Sequence, residues 1–233
     1  MLKNRFSGFR VAAATAAVVG MIAASVGPVA ADTTPPGDAS YSQNGSSAEL
    51  FGGDCTANGD DTVTCVGQQI YVFTGKMTDS VTGVTHANQV CASISSYTYS
   101  ELTGEYVGTP TFEQGCRVDV PTGTIRIDSK LKSATLVATH LTIQDEACQK
   151  FGCDPGTGRD IVVVGSWTGF GPLMSSKYRG SSNDGTCRSS ETFKGSSRSA
   201  EVSGSLDGQP FVGDHFGYIS SGKYGFKSSC QEV

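Results

Sequence analysis

Cysteine is the residue type in this chain whose number and spacing point most clearly to a chemistry. An even number of cysteines after an apparent export signal predicts a framework of disulfide bonds with no thiol left over. Eight cysteines allow about 105 pairings. We predict sequential pairing, because the first three pairs each bracket a plausible turn and close at little entropic cost. The predicted bonds are Cys55–Cys65, Cys91–Cys116, Cys148–Cys153 and Cys187–Cys230.

The short loop between Cys148 and Cys153 is the most pointed local feature. Four residues separate these cysteines, so the spacing differs from the two-residue spacing of redox and zinc motifs. A disulfide here would present Lys150 and Phe151 on a small rigid loop, which could enter the active site of a secreted protease with little loss of entropy. The alternative is a stapled turn that only stabilises the connection between two strands.

Three tyrosines form a candidate binding surface. Tyr97 and Tyr99 alternate with Ser96, Thr98 and Ser100 in a predicted strand, and Tyr106 follows the turn at 102–105. A tyrosine offers a flat apolar ring with a polar tip. The three residues could therefore form an exposed strip that stacks on sugar rings or contacts a protein, or they could cover the edge of a core.

The remaining titratable residues do not define a catalytic, cofactor or metal site. His86, His140 and His215 are far apart in sequence and stand at no recognised ligand spacing. The carboxylates at 145, 146, 154 and 160 could supply oxygen ligands for calcium, but the pattern of a helix-loop-helix calcium site is missing. We predict isolated strand histidines, and no catalytic residue, cofactor or metal.

The first 31 residues have the layout of a secretory signal peptide. Three basic residues precede an apolar, alanine-rich run, and Val29-Ala30-Ala31 resembles a cleavage site. Removal of this segment leaves 14 basic and 22 acidic residues, a net charge of −8. We therefore predict a secreted protein that binds no nucleic acid and, once cleaved, no membrane.

The rest of the chain is typical of an all-β protein. Short runs rich in Val, Ile, Thr and aromatic residues alternate with turn residues, and no apolar run after residue 31 has helical spacing with caps. The runs within 131–170 are the candidate centre of the sheet, with Ile161 to Trp167 serving the interior. We predict an antiparallel β-sandwich or barrel stabilised by disulfides.

Composition predicts three regions. Residues 1–31 are the signal peptide, and residues 32–54, rich in Ser, Gly, Pro and Thr, are predicted to be a flexible leader. Residues 55–233 are predicted to be a single all-β domain, long enough to bury a real core.

Three functions remain open at this point. The first is a non-enzymatic exported protein that acts by binding a protein, a carbohydrate or a small ligand, or as a structural module. The second is a secreted hydrolase with an acidic or histidine-containing site, which a buried carboxylate beside His140 would favour. The third is a protease inhibitor that presents Lys150 and Phe151.

Overall fold

The fold is given by a computed structural model that describes residues 38–80, 83–145, 158–183 and 187–230. The chain divides into two units, Met1–Pro35 and Pro36–Val233, and all elements below belong to the second. The predicted signal peptide lies outside the described residues. Within the described ranges, no helical segment has the length and apolar character needed to span a bilayer.

Eleven strands make up the described part of the fold. In chain order they are β1 Asp38–Ala57, β2 Thr62–Asp79, β3 Thr85–His86, β4 Gln89–Ser100, β5 Thr111–Arg117, β6 Ile125–Ile127, β7 Ser133–Asp145, β8 Arg159–Asn183, β9 Cys187–Leu206, β10 Gln209–Pro210 and β11 Asp214–Cys230.

The main sheet closes on itself. Its strands are paired antiparallel in the order β1-β11-β9-β8-β7-β5-β4-β2, and β2 pairs back with β1. The link between β5 and β7 is the shortest, with two residue pairs. The all-β prediction is confirmed, and of its two forms the molecule adopts the barrel.

The predicted flexible leader is wrong from residue 38 onward. Residues 38–54 belong to β1, which hydrogen-bonds to β11 on one side and to β2 on the other. Composition misled the prediction because Ser and Gly are poor strand formers by themselves, whereas β1 is paired with a neighbouring strand on both sides over most of its length. Residues 32–37 lie outside the described part of the chain.

The barrel interior is organised around Trp167, as predicted for the segment from Ile161. Trp167, Ile161 and Val163 are fully buried in one apolar cluster with residues of the other strands. The indole N–H donates a 2.8 Å hydrogen bond to the carbonyl oxygen of Glu49. Glycines leave room for the ring, since a Cβ added at Gly165 would lie 2.5 Å from the indole.

Five strands continue well beyond this core, and a row of glycines crosses four of them. Gly75, Gly45, Gly222 and Gly195 are successive partners on β2, β1, β11 and β9. The phenyl ring of Phe73 occupies the space that Cβ atoms would take at Gly45 and Gly75, and the ring of Phe193 does so at Gly195. On β2 and on β9, an aromatic ring therefore covers the glycine two positions further along the same strand. Such a contact fixes the strand register of a curved sheet.

The sheet bends sharply at the glycine row. Gln43 and Glu49 are six residues apart on β1, about 20 Å in a straight strand, and Tyr71 is the β2 partner of Glu49. Nevertheless the Gln43 amide donates a 2.6 Å hydrogen bond to the Tyr71 hydroxyl. The outer face therefore folds toward itself here, which buries Tyr71, Phe73 and Met77 outside the barrel.

Three of the four predicted disulfides are confirmed. Cys55–Cys65 joins β1 to β2, Cys91–Cys116 joins β4 to β5, and Cys187–Cys230 joins β9 to β11. In each case the two cysteines are direct partners in the strand register. The predicted Cys148–Cys153 bond lies outside the described residues.

Two stretches with turn-like sequence lie inside strands. The residues of 180–185 predict a turn and Gly222 predicts a turn or bulge, but β8 continues to Asn183 and Gly222 lies inside β11. In β9 the alternation of apolar and polar residues in 199–206 predicts a strand with one exposed face, and this is confirmed, because Ala200 and Val202 are buried whereas Glu201 is exposed. Glycine predicted turns poorly here because hydrogen bonds to adjacent strands, and aromatic rings that pack over some of the glycines, stabilise it within strands.

Candidate functional site

The three predicted tyrosines come together on the outer face of the barrel, in what we call the tyrosine patch (Tyr97, Tyr99 and Tyr106). Tyr97 and Tyr99 are two residues apart on β4 and share one face. The connection after β4 turns back, and Tyr106 pairs with Tyr99 in an isolated antiparallel bridge. This turn holds because the Ser100 N–H donates to the Glu105 carbonyl at 2.9 Å.

Two rings of the patch lie side by side, and the third stands at right angles to one of them. The Tyr97 and Tyr99 rings have centroids 6.3 Å apart and planes 31° apart. Tyr106 stands edge-on to Tyr97, with centroids 5.7 Å apart and planes at 89°. The Tyr106 side chain is 65% exposed. Such a corner can hold one face of a flat, partly apolar ring while the hydroxyl groups remain available for hydrogen bonds.

The patch also covers part of the sheet beneath it. Tyr97 and Tyr99 lie beside Cys65 and Val63 of β2, and both of these residues are buried. The two hypotheses for the tyrosines, an exposed binding strip and a cover for the edge of a core, are therefore compatible. The inner sides of the rings shield the Cys55–Cys65 end of β2, and their outer sides face solvent. Leu102 and Val107, 78% and 51% exposed, continue the apolar surface along the turn.

A buried acid on the outer face of β1 was not anticipated from the sequence. Glu49 is 5% exposed and lies between Tyr218 of β11 and Tyr71 of β2, its direct partners on the two sides. Burial raises the pKa of its carboxyl to about 7. Among the described residues no hydrogen bond or ion pair reaches this carboxylate. Ionisation of the buried Glu49 side chain is therefore energetically unfavourable.

Two tyrosines on this face, Tyr71 and Tyr41, also have raised pKa values. Burial raises the pKa of Tyr71, and the hydrogen bond from Gln43 acts in the opposite direction. Burial and the neighbouring Asp79 raise the pKa of Tyr41 to about 12, and the Tyr41 hydroxyl is buried without a hydrogen-bond partner. No local pattern in 41–51 indicates this cluster, and composition assigned the segment to the leader.

Two of the three histidines, His86 and His215, have partners of their own. His86 Nδ1 lies 2.8 Å from Asp119 Oδ2 at the surface, and this hydrogen bond, followed by that from the Ala87 N–H, lowers the pKa of Asp119. His215 Nε2 lies 2.7 Å from the Val202 carbonyl. The side chain of His140 is exposed on β7. His140 therefore lacks the buried setting that would have favoured a hydrolase.

The other candidate residues fall into two groups. Lys150 and Phe151, on which the inhibitor hypothesis rests, lie outside the described residues. Asp160 accepts a 2.6 Å hydrogen bond from Thr142, and the described residues contain no group of three or more His, Cys, Asp or Glu side chains placed to hold a metal ion.

Comparison with known proteins gives no family. No protein-family model matches this chain, and no curated protein sequence matches it. Among solved structures, it is similar to an acetoacetate decarboxylase-like enzyme from Sphingomonas wittichii RW1, with 10% identity over 86% of this chain and 94% of that chain, at a TM-score of 0.21. At that score the similarity carries no inference about fold or function.

Proposed function

We propose that this protein is an exported, non-enzymatic binding protein that holds neutral polysaccharide on the tyrosine patch. The observation that carries the proposal is the corner formed by Tyr97, Tyr99 and Tyr106, two rings side by side and a third at right angles. Pyranose rings have apolar C–H faces rimmed by hydroxyl groups. A tyrosine corner offers matching surfaces, a ring face for the C–H groups and phenol oxygens for the hydroxyls.

Export is supported by two independent features. The charged start, apolar run and small residues of 1–31 have the layout of a signal peptide. Three disulfides between paired strands require an oxidising compartment to form and persist.

The test is retardation in native gels that contain hydroxyethyl cellulose, mannan or starch. We expect the parent protein to be retarded by at least one of them. The variant Tyr97→Ala/Tyr99→Ala/Tyr106→Ala should bind at least about tenfold more weakly, since each stacked ring contributes on the order of 0.5 to 1.5 kcal/mol. Tyr178→Ala is the matched control, because Tyr178 is an exposed tyrosine on β8, outside the patch.

Two results would end this proposal. One is a parent protein that migrates normally in every neutral polysaccharide. The other is equal weakening by the patch variant and by Tyr178→Ala, which would show that the patch has no special role. Circular dichroism and the melting temperature of each variant establish that a loss of binding is not a loss of fold.

A protein ligand is the second candidate, favoured by the exposed Leu102 and Val107 at the rim of the patch. Contacts with proteins bury apolar side chains at their centre and favour tyrosine. In that case Leu102→Ser/Val107→Ser abolishes binding of the partner, whereas Val137→Ser, an equally exposed valine on β7, leaves it unchanged. Polysaccharide on the three rings predicts instead only a small effect of the Leu102 and Val107 changes.

A further inference from the structure

The part of the sheet beyond the glycine row, which we call the distal sheet, has two unlike faces. One face continues the core side of the barrel: on β11, for example, it passes from Ile219 to Lys223 and Lys227. This side, the basic face, presents seven exposed cations, half of the 14 that follow residue 31. They are Lys76, Lys177, Arg179, Arg188, Lys194, Lys223 and Lys227.

The cations are aligned by the strand register. Lys177 pairs with Lys194, and Lys194 pairs with Lys223. Lys223 in turn pairs with Asn44 of β1, and Asn44 pairs with Lys76 of β2. With strands about 4.8 Å apart, this row of four lysines spans about 19 Å across five strands.

Two acids of the distal sheet lie on its other face, which we call the aromatic face because it carries Tyr41, Phe193, Tyr224 and Phe226. Glu191 is the partner of Phe226, which in turn pairs with Tyr41 and through it with Asp79, so both acids share the aromatic face. Among the described register positions of the basic face, only position 38, the first of β1, is acidic. No ion pair to any of the seven cations is present in the described part of the chain.

Such an arrangement is unfavourable without an anion. Like charges directly opposite each other on paired strands destabilise a sheet, and here two such pairs are consecutive. Where the basic face meets the barrel, Arg198 pairs with Ile219, and its Nε is buried without a hydrogen-bond partner. The basic face therefore has cations without acidic partners along its surface. Where it meets the barrel, it also has a hydrogen-bond donor, Arg198 Nε, without an acceptor.

We propose that the basic face binds an anionic polysaccharide. Between the cations its paired positions hold small polar residues, such as Ser190, Thr192 and Ser42, which can bond to sugar hydroxyls. The paired positions of this face carry no aromatic residue, so it lacks the platforms on which single-stranded nucleic acid stacks its bases. They also carry no large apolar residue of the kind that enters a membrane interface.

The experiment compares two triple variants that lose the same charge. Lys177→Gln/Lys194→Gln/Lys223→Gln removes the centre of the lysine row, and Arg126→Gln/Lys130→Gln/Lys132→Gln removes three exposed cations near β6. Binding to sodium polygalacturonate is measured by titration calorimetry at 50 mM and 300 mM salt. The face variant should bind at least about tenfold more weakly than the parent at low salt, and the control within about twofold.

Several outcomes overturn this inference. They are an absence of binding by the parent at 50 mM salt, equal losses in the two variants, or binding that salt does not weaken. Binding to phosphatidylglycerol vesicles or double-stranded DNA, but not to polygalacturonate, would assign the face to another class of anion and refute the polysaccharide. The face variant should still bind neutral polysaccharide, so failure here is distinguishable from failure of the tyrosine patch.

Discussion

Replacement of Glu49 by glutamine should stabilise the protein at pH 8 and leave its stability unchanged at pH 4.5. The carboxyl has a pKa of about 7 in the fold against an ordinary value of 4.5. This difference corresponds to roughly 3 kcal/mol of unfavourable free energy for holding the charged form. Since the pKa is raised by folding, the contribution is fully favourable below pH 4.5 and is lost as the pH rises through 7.

The assay is urea unfolding between pH 4.5 and pH 8.5, followed by fluorescence of Trp167, the only tryptophan. The difference in unfolding free energy between Glu49→Gln and the parent should grow from near zero to as much as about 3 kcal/mol. Glu201→Gln is the control, because Glu201 is exposed on β9. A difference that is independent of pH, or that favours the parent at pH 8, would refute the burial of Glu49.

Three further predictions concern the core, the glycine row and the basic face. Trp167→Phe removes the donor to the Glu49 carbonyl and should cost about 1 to 3 kcal/mol in urea unfolding, followed here by circular dichroism because the variant has no tryptophan. Gly75→Ala places a methyl group against the backbone of β1 at a residue with φ of +149°, and should cost at least about 1 to 3 kcal/mol without altering neutral polysaccharide binding. Lys194→Gln relieves two like-charge pairs and should stabilise the protein by about 0.2 to 1 kcal/mol at low salt, a gain that shrinks at 1 M salt.

Much of the fold follows from local pattern. The alternation of Ala200 and Val202 with Glu201 predicted a strand with one wet face, and the register agrees. The pairing of Cys55 with Cys65 and of Cys91 with Cys116 followed from the turns that each pair brackets, where loop closure costs little. The place of Trp167 in the core followed from its aliphatic neighbours in an otherwise polar chain.

The rest depended on contacts that a single segment does not contain. β1 has serine and glycine where strands usually carry β-branched residues, so its sequence resembles a linker. It is a strand because β2 and β11 pair with it along its length, and the burial of Glu49 is a consequence of that position. No local signal could therefore have identified Glu49 as a buried acid.

Net charge was an incomplete guide to partners. A net charge of −8 after residue 31 argues against a polyanionic partner only if positive and negative side chains are evenly distributed over the surface. The segments around Lys177, Lys194 and Lys223 each set a lysine next to an aromatic residue. In a strand that alternation sends the cations to one face and the rings to the other, and the register then aligns the cations across strands.

The proposed role in binding is tested most directly by footprinting the tyrosines with and without neutral polysaccharide. Hydroxyl-radical modification is quantified by mass spectrometry for Tyr97, Tyr99, Tyr106 and the exposed Tyr178. We expect the ligand to protect the three patch tyrosines and to leave Tyr178 unchanged. Equal modification of the patch in both conditions, with the polysaccharide bound, would place the binding site elsewhere and contradict the account.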